Sequence, residues 1–178
     1  ASDVYKRQIH TNQAIGNEID GISIVAANGG TFSGTVRANL ALENERNGFS
    51  FVGHRGIITA TVTENTAREN EDDGFRFFYP NSQLNVTVTG NLAVENGGDG
   101  FEFINRGGQL RGTISENTAA GNQGDGFAFN LADAVLLNID LLGNTAVGNR
   151  GNGFVIVIPA SGFSGDIINN IAAENGEN

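Results

Sequence analysis

The sequence predicts an all-β fold, a right-handed single-stranded parallel β-helix of about six and a half coils, each of 26–27 residues with three short strands. Three observations predict it. The string N-x-A-x-x-N occurs seven times, beginning at Asn12, Asn39, Asn65, Asn91, Asn117, Asn144 and Asn170. An apolar pair flanking one variable residue recurs in phase with it, as Phe49 and Phe51, Phe75 and Phe77, Phe101 and Phe103, and Phe127 and Phe129. The rest of each repeat alternates apolar with polar residues, and no stretch shows the three-and-four spacing of a helix.

Each element follows from that pattern. The first strand carries the Phe-x-Phe pair, replaced by Ile22 and Ile24 in the first coil and by Phe154 and Ile156 in the sixth. The residues between the pair, Ser23, Ser50, Arg76, Glu102, Ala128 and Val155, vary freely, as residues on the outer side of a strand do. A second strand runs Phe32, Gly34, Val36, with equivalents from Ile58, Ala60, Val62 through Phe163, Gly165, Ile167. A third, shorter strand holds the unchanging alanine, Ala14, Ala41, Ala67, Ala93, Ala119, Ala146 and Ala172. Because the sequence repeats in phase, each strand pairs with its own copy one coil away. Such pairing is parallel with a rise of about 4.8 Å, and parallel crossovers are right-handed.

Two steps are 27 residues long, and the extra residue is expected in one turn, before Phe32 and before Leu137. The Gly before each Phe is expected to supply a positive φ at a turn, behind an Asp or Asn turn former. The two asparagine columns are expected to form asparagine ladders along the corners. Stacked phenylalanines supply the core, each contributing about 1.5–3 kcal/mol on burial. No coil buries its own faces, so stability resides in contacts between neighbouring coils.

Composition narrows the function. The chain has 178 residues, with 26 glycines, no cysteine and a formal charge of −10. No disulfide or thiolate metal site is available. Nucleic acid is excluded as a partner because phosphate backbones repel an acidic chain. No apolar run is long enough to insert into a membrane. These features suit an extracellular or cell-surface protein.

The stretch from Asp3 to Gln8 reads DVYKRQ. Its back-translation resembles the mosaic end left by transposon-based sequencing adapters, so residues 1–8 are expected to be an adapter scar and residues 9–178 the β-helix. The repeat register begins at Ile9, and Arg7 would fall in a column otherwise held by small or apolar residues. Neither end shows a capping element, so the segment reads as cut from a longer protein. It is expected to be monomeric within that parent, with end-to-end stacking open to the isolated piece through its unpaired edges.

The repeat N-x-A-x-x-N-x-x-D-G-F-x-F resembles that of pectate-lyase-like right-handed parallel β-helix proteins, over Ile9 to Asn178. The resemblance implies the fold. For activity it implies a range that includes polysaccharide lyases, hydrolases, uronan epimerases, tailspikes and adhesins, and fold alone does not choose among them. No catalytic motif of those families matches any position, so no catalytic residue is assigned.

Three groups of residues are candidates for chemistry. The column Asp20, Asn47, Asp73, Asp99, Asp125, Asn152 stacks carboxylates beside glutamates, and a calcium ion held by Glu69, Asp73, Glu95 and Asp99 would relieve their repulsion. The competing view is that the aspartates cap D-G turns and the glutamates face solvent. On the Phe-x-Phe face, His54, Arg76, Tyr79, Glu102 and Arg106 break the monotony, and a carboxylate, an arginine and an aromatic ring could grip a sugar acid. The competing view is ordinary decoration of a solvated face. Thr35, Thr61, Thr87 and Thr113 form an outward column that could order water, but it becomes Asp140 and Asp166, and threonine is a common strand residue. His10 and His54 lack partners at metal-ligand spacing.

The uniform coils favour a non-catalytic structural or adhesive segment of a secreted or surface bacterial protein, with polysaccharide as its candidate partner and no cofactor other than the calcium considered above. The alternative is an enzyme on acidic polysaccharide, a lyase, hydrolase or epimerase whose catalytic coils are partly missing.

Overall fold

The structure is a computed structural model, and it describes residues 7–134, 136–160 and 162–176. Among these residues the chain is all strand and turn, with no helix long and apolar enough to cross a membrane. The strands stack into three parallel sheets. Sheet A contains seven strands, from Arg7–His10 and Thr31–Arg37 to Ile167–Ile168. Sheet B contains seven strands of three residues, from Gln13–Ile15 to Ile171–Ala173, each centred on the unchanging alanine. Sheet C contains six strands, from Ile22–Ala27 to Phe154–Val157, and carries the Phe-x-Phe pairs.

Register follows the repeat. Phe101 lies between Phe75 and Phe127, and Ala93 between Ala67 and Ala119. The first phenylalanine column stacks from Phe49 to Phe154 with ring centroids 4.7–4.8 Å apart, and the second from Phe51 to Phe129 at 4.5–4.8 Å. The ring spacing matches the spacing of paired strands, so one backbone geometry satisfies both hydrogen bonds and ring contact.

Arg7 and Gln8, which the repeat leaves out, extend the first strand of sheet A by two residues beside Gly34 and Thr35, with Arg7 exposed. The extra residue of the first coil sits where expected, in the turn Asn28, Gly29, Gly30, against Arg55 and Gly56 one coil later. In the fifth coil it sits elsewhere. Ile104 pairs with Asn130 but Arg106 with Asp133, so the end of the sheet C strand takes up the surplus as a register shift.

Both asparagine columns form ladders. The main-chain N–H and Nδ2 of each Asn donate to Oδ1 of the Asn one coil onward, as Asn96 does to Asn122 at 3.0 and 2.9 Å. Nδ2 also donates back to a carbonyl, Ala67 O at 3.2 Å in that case. The first ladder runs from Asn12 to Asn170 and the second from Asn17 to Asn175.

The expected role of the glycine before each Phe is corrected. None of Gly21, Gly48, Gly74, Gly100, Gly126 and Gly153 is among the residues with positive φ. They are glycine for lack of room. A Cβ on Gly100 would lie 2.6 Å from Ala119 Cβ, 2.7 Å from Gly126 O and 3.0 Å from Asn122 Nδ2. The recurring spacing of glycine and alanine is therefore one contact, each glycine accepting the alanine of the next coil. The residue just before each ladder asparagine is left-handed instead, from Thr11 and Gly16 to Asn169 and Glu174, with φ of 52–66°. They turn the chain at both ends of the sheet B strand and aim the next asparagine along the axis.

Candidate functional site

The D-G turn leads into sheet C, and its aspartates form a third ladder, polarised opposite to the asparagine ladders. Asp73 Oδ1 accepts the N–H of Asp99 at 2.8 Å, Asp99 Oδ1 that of Asp125 at 2.6 Å, and Asp125 Oδ1 that of Asn152 at 2.6 Å. Asp20 Oδ1 accepts from both the N–H and Nδ2 of Asn47, at 3.2 and 2.8 Å. Here the side chain need only accept a backbone N–H, without the Nδ2 donor that the asparagine ladders use, so an aspartate serves as well as an asparagine.

Asp73 and Asp99 therefore hold backbone within a partly buried ladder, whereas Glu69 and Glu95 occupy exposed left-handed corners. Arg68 lies between the two glutamates, 2.7 Å from Glu69 Oε1 and 3.2 Å from Glu95 Oε2. Among the described residues no group of three or more His, Cys, Asp or Glu could hold a metal ion.

On the outer face of sheet C, Arg76 and Glu102 are neighbours in register, with Arg76 Nε 3.3 Å from Glu102 Oε2 and their side chains 30% and 17% exposed. The contact is electrostatic, because Arg76 Nε finds no well-directed hydrogen bond. Burial, and after it the negative charge of Glu102, push the Asp73 carboxyl up to about 7, against the N–H of Asp99 and the charge of Arg76, which pull it down. Burial also raises Glu102, against a hydrogen bond from Asp73 and the charge of Arg76. Asp99 is pushed up to about 6, chiefly by burial. Asp73 and Glu102 thus both hold their protons more tightly than free carboxyls, with Arg76 too weakly engaged to offset the burial of either.

A stability prediction follows from the sign of these shifts. The Asp73 carboxyl binds its proton more tightly folded than unfolded, so its favourable contribution is complete below about 3.8 and is lost as pH rises through about 7. The protein should therefore become more stable, with a higher Tm, as pH falls from 8 to 5. Asn47 and Asn152 already occupy the same column, and Asn keeps the Oδ1 acceptor. Asp73→Asn should stabilise by about 1–2 kcal/mol at pH 8 and far less at pH 5. Urea denaturation of both proteins at the two pH values measures this, and equal shifts at both would show that the charge is not the cause.

The other expected site residues divide. His54 and Arg106 are exposed at the ends of their sheet C strands. Tyr79, expected as an outward platform, is instead 1% exposed and belongs to the core. The alternation that places Phe75 and Phe77 inside places Tyr79 inside as well, and Phe78 outside. Phe78 is the aromatic residue of the outer face, with Arg76 Cζ 5.7 Å from its ring centroid and the His54 ring edge-on at 5.8 Å. Strand parity alone would have found it. The structure thus brings together His54, Phe78, Arg76 and Glu102. Beside them is a shallow depression of about 260 Å³ lined by Asp20, Arg46, Asn47, Ser50, Val52, Arg76 and Phe78.

This repeat geometry has a counterpart among known families. The family model described as periplasmic copper-binding protein (NosD) matches residues 2–178. The chain belongs to the NosD family. No curated protein and no solved structure matches it. The pectate-lyase-like resemblance thus holds at the level of the parallel β-helix, and the family is NosD.

The description of the NosD family raises copper, and the residues of this NosD-family chain do not fit it. Copper is held by cysteine or methionine sulfur and by clustered imidazoles. The chain has no cysteine, no methionine and two histidines. His10 ends a strand of sheet A and bonds Thr11, while His54 ends a strand of sheet C against Phe78.

Proposed function

We propose that this NosD-family chain is a non-catalytic structural and adhesive rod of the cell envelope, holding the rest of its protein away from a surface and contacting extracellular polysaccharide. One observation carries the reading. Among the described residues the first five coils are uniform, with turns of two to four residues between sheets C and A, and the aspartates that punctuate them hold backbone in a ladder while Glu64, Glu69 and Glu95 pair with arginines at the corners rather than converging on a cleft. The family's periplasmic description supports an envelope location.

A second reading has one observation in its favour. The Glu102 carboxyl, raised by burial and set beside Arg76, has the character of a general acid, as in an enzyme on acidic polysaccharide. Incubation with pectate and alginate, with and without calcium, separates the two. The structural reading expects no unsaturated product in the ultraviolet. Product formation that Arg76→Ala or Glu102→Ala abolishes would establish the enzyme.

A further inference from the structure

We propose that the outer face of sheet A binds a neutral, linear polysaccharide laid along the coil axis. The proposal rests on the adhesive reading above and gives it a ligand class and a site, on a different face from Arg76 and Glu102.

A furrow of about 380 Å³ crosses four coils of this sheet. Thr35, Thr61 and Thr87 stand in register along one side, and Thr59, Asn85 and Arg111 along the other. Among the described residues none of these six side chains makes a hydrogen bond or ion pair. The ladder asparagines bond coil to coil, and in the same sheet just beyond the furrow Thr89 and Ser115 bond each other at 3.0 Å. The furrow thus presents two rows of free donors and acceptors repeating at about 4.8 Å, the strand spacing. A hydroxyl-rich polymer, whose own groups recur along its length, meets such rows repeatedly, and weak contacts accumulate through multivalency.

Charge selects the neutral class. The chain carries −10, and the threonine column continues into Asp140 and Asp166, so a polyanion is repelled along the axis. Arg111 is the one cation in the furrow and serves as a hydrogen-bond donor to hydroxyl and ring oxygens. A protein strand is disfavoured because the backbone groups here are already paired within the sheet, leaving nothing for strand addition.

The test is native affinity electrophoresis of the whole chain in gels containing hydroxyethyl cellulose, glucomannan or polygalacturonate. Retardation is expected in the neutral gels and not in polygalacturonate. The double variant Thr61→Val with Thr87→Val keeps strand propensity on an outward surface. It should retain the wild-type Tm and lose about tenfold in apparent affinity. Arg111→Gln should lose affinity while keeping the preference for neutral polymer. No retardation in either neutral gel, or retardation unchanged in all these variants, would overturn the proposal. Stronger retardation by polygalacturonate would overturn the neutral class. Thermal hysteresis of freezing that disappears in the threonine variants would assign the face to ordered water instead. Cleavage of any polymer would count against the adhesive reading, whereas absence of both cleavage and binding would remove this inference alone.

Discussion

Asn96→Ala is expected to cost roughly 3–5 kcal/mol in urea denaturation, because each orphaned buried polar group costs about 1–3 kcal/mol. Asn96 Oδ1 accepts the N–H and Nδ2 of Asn70 at 3.1 and 2.9 Å, and Asn96 Nδ2 donates to Asn122 Oδ1 and Ala67 O. Alanine removes one side chain and strands partners on both sides, in a site closed to solvent: Asn70, Asn96 and Asn122 are each 2% exposed or less. The internal control is Asn12→Ala. Asn12 is exposed at the first coil, where it bonds forward to Asn39 and back to the exposed His10 carbonyl and accepts from no other side chain among the described residues, so water can serve its neighbours. Its loss should be about 1 kcal/mol or less. Equal losses at the two positions would mean that the ladder is a consequence of the coil and not one of its supports.

Gly100→Ala should be at least as damaging, by about 3 kcal/mol or more, since overpacking a tight site already costs 1–3 kcal/mol when side chains can yield. Here two of the three nearest atoms are a backbone carbonyl, Gly126 O, and the Cβ of Ala119, neither of which can rotate away. The partner change Ala119→Gly opens that space and should restore part of the loss, a coupling that a double-mutant cycle reads directly. Gly148→Glu is the opposite case. Gly148 has a φ of 63° with nothing within 4 Å of its Cβ position, and Glu43, Glu69 and Glu95 occupy the equivalent corner at φ 53–55°. That change should stay within about 1–2 kcal/mol of the parent, the cost of a left-handed residue. A severe loss at Gly148 with a mild one at Gly100 would reverse the assignment of the two glycine classes.

The fold was legible because the signal is long-range and repeated. Phase-locked Phe49, Phe75, Phe101 and Phe127 leave one way to stack, and the structure follows it. The asparagine ladders were legible for the same reason. What failed was local. The glycine before each Phe carries a familiar turn signal, but its real constraint is the alanine 19 residues on at Gly100, a distance no turn rule examines. Tyr79 was misplaced by its chemistry, since a phenol suggests a surface, while strand parity puts it beside the core. Phe78 was overlooked for the converse reason: phenylalanine suggests a core, yet its parity faces outward beside Arg76. The furrow on sheet A was legible only as its outward threonine column, Thr35, Thr61 and Thr87, because concavity and unpaired hydroxyls depend on how neighbouring strands lie, which a column of letters does not contain.

The constancy of the circuit also governs how such a protein can change over generations. An insertion of one residue within a strand would turn every later side chain of that strand inside out. The turn after sheet C tolerates one, as Asn28, Gly29 and Gly30 demonstrate, and the end of the sheet C strand in the fifth coil takes another as a register shift. Copying a whole circuit disturbs neither, since the new copy meets on each side the same surface its template met. Length is therefore cheap to evolve and cross-section is not, so lineages of this protein should differ in whole circuits far more readily than in the shape of any one of them.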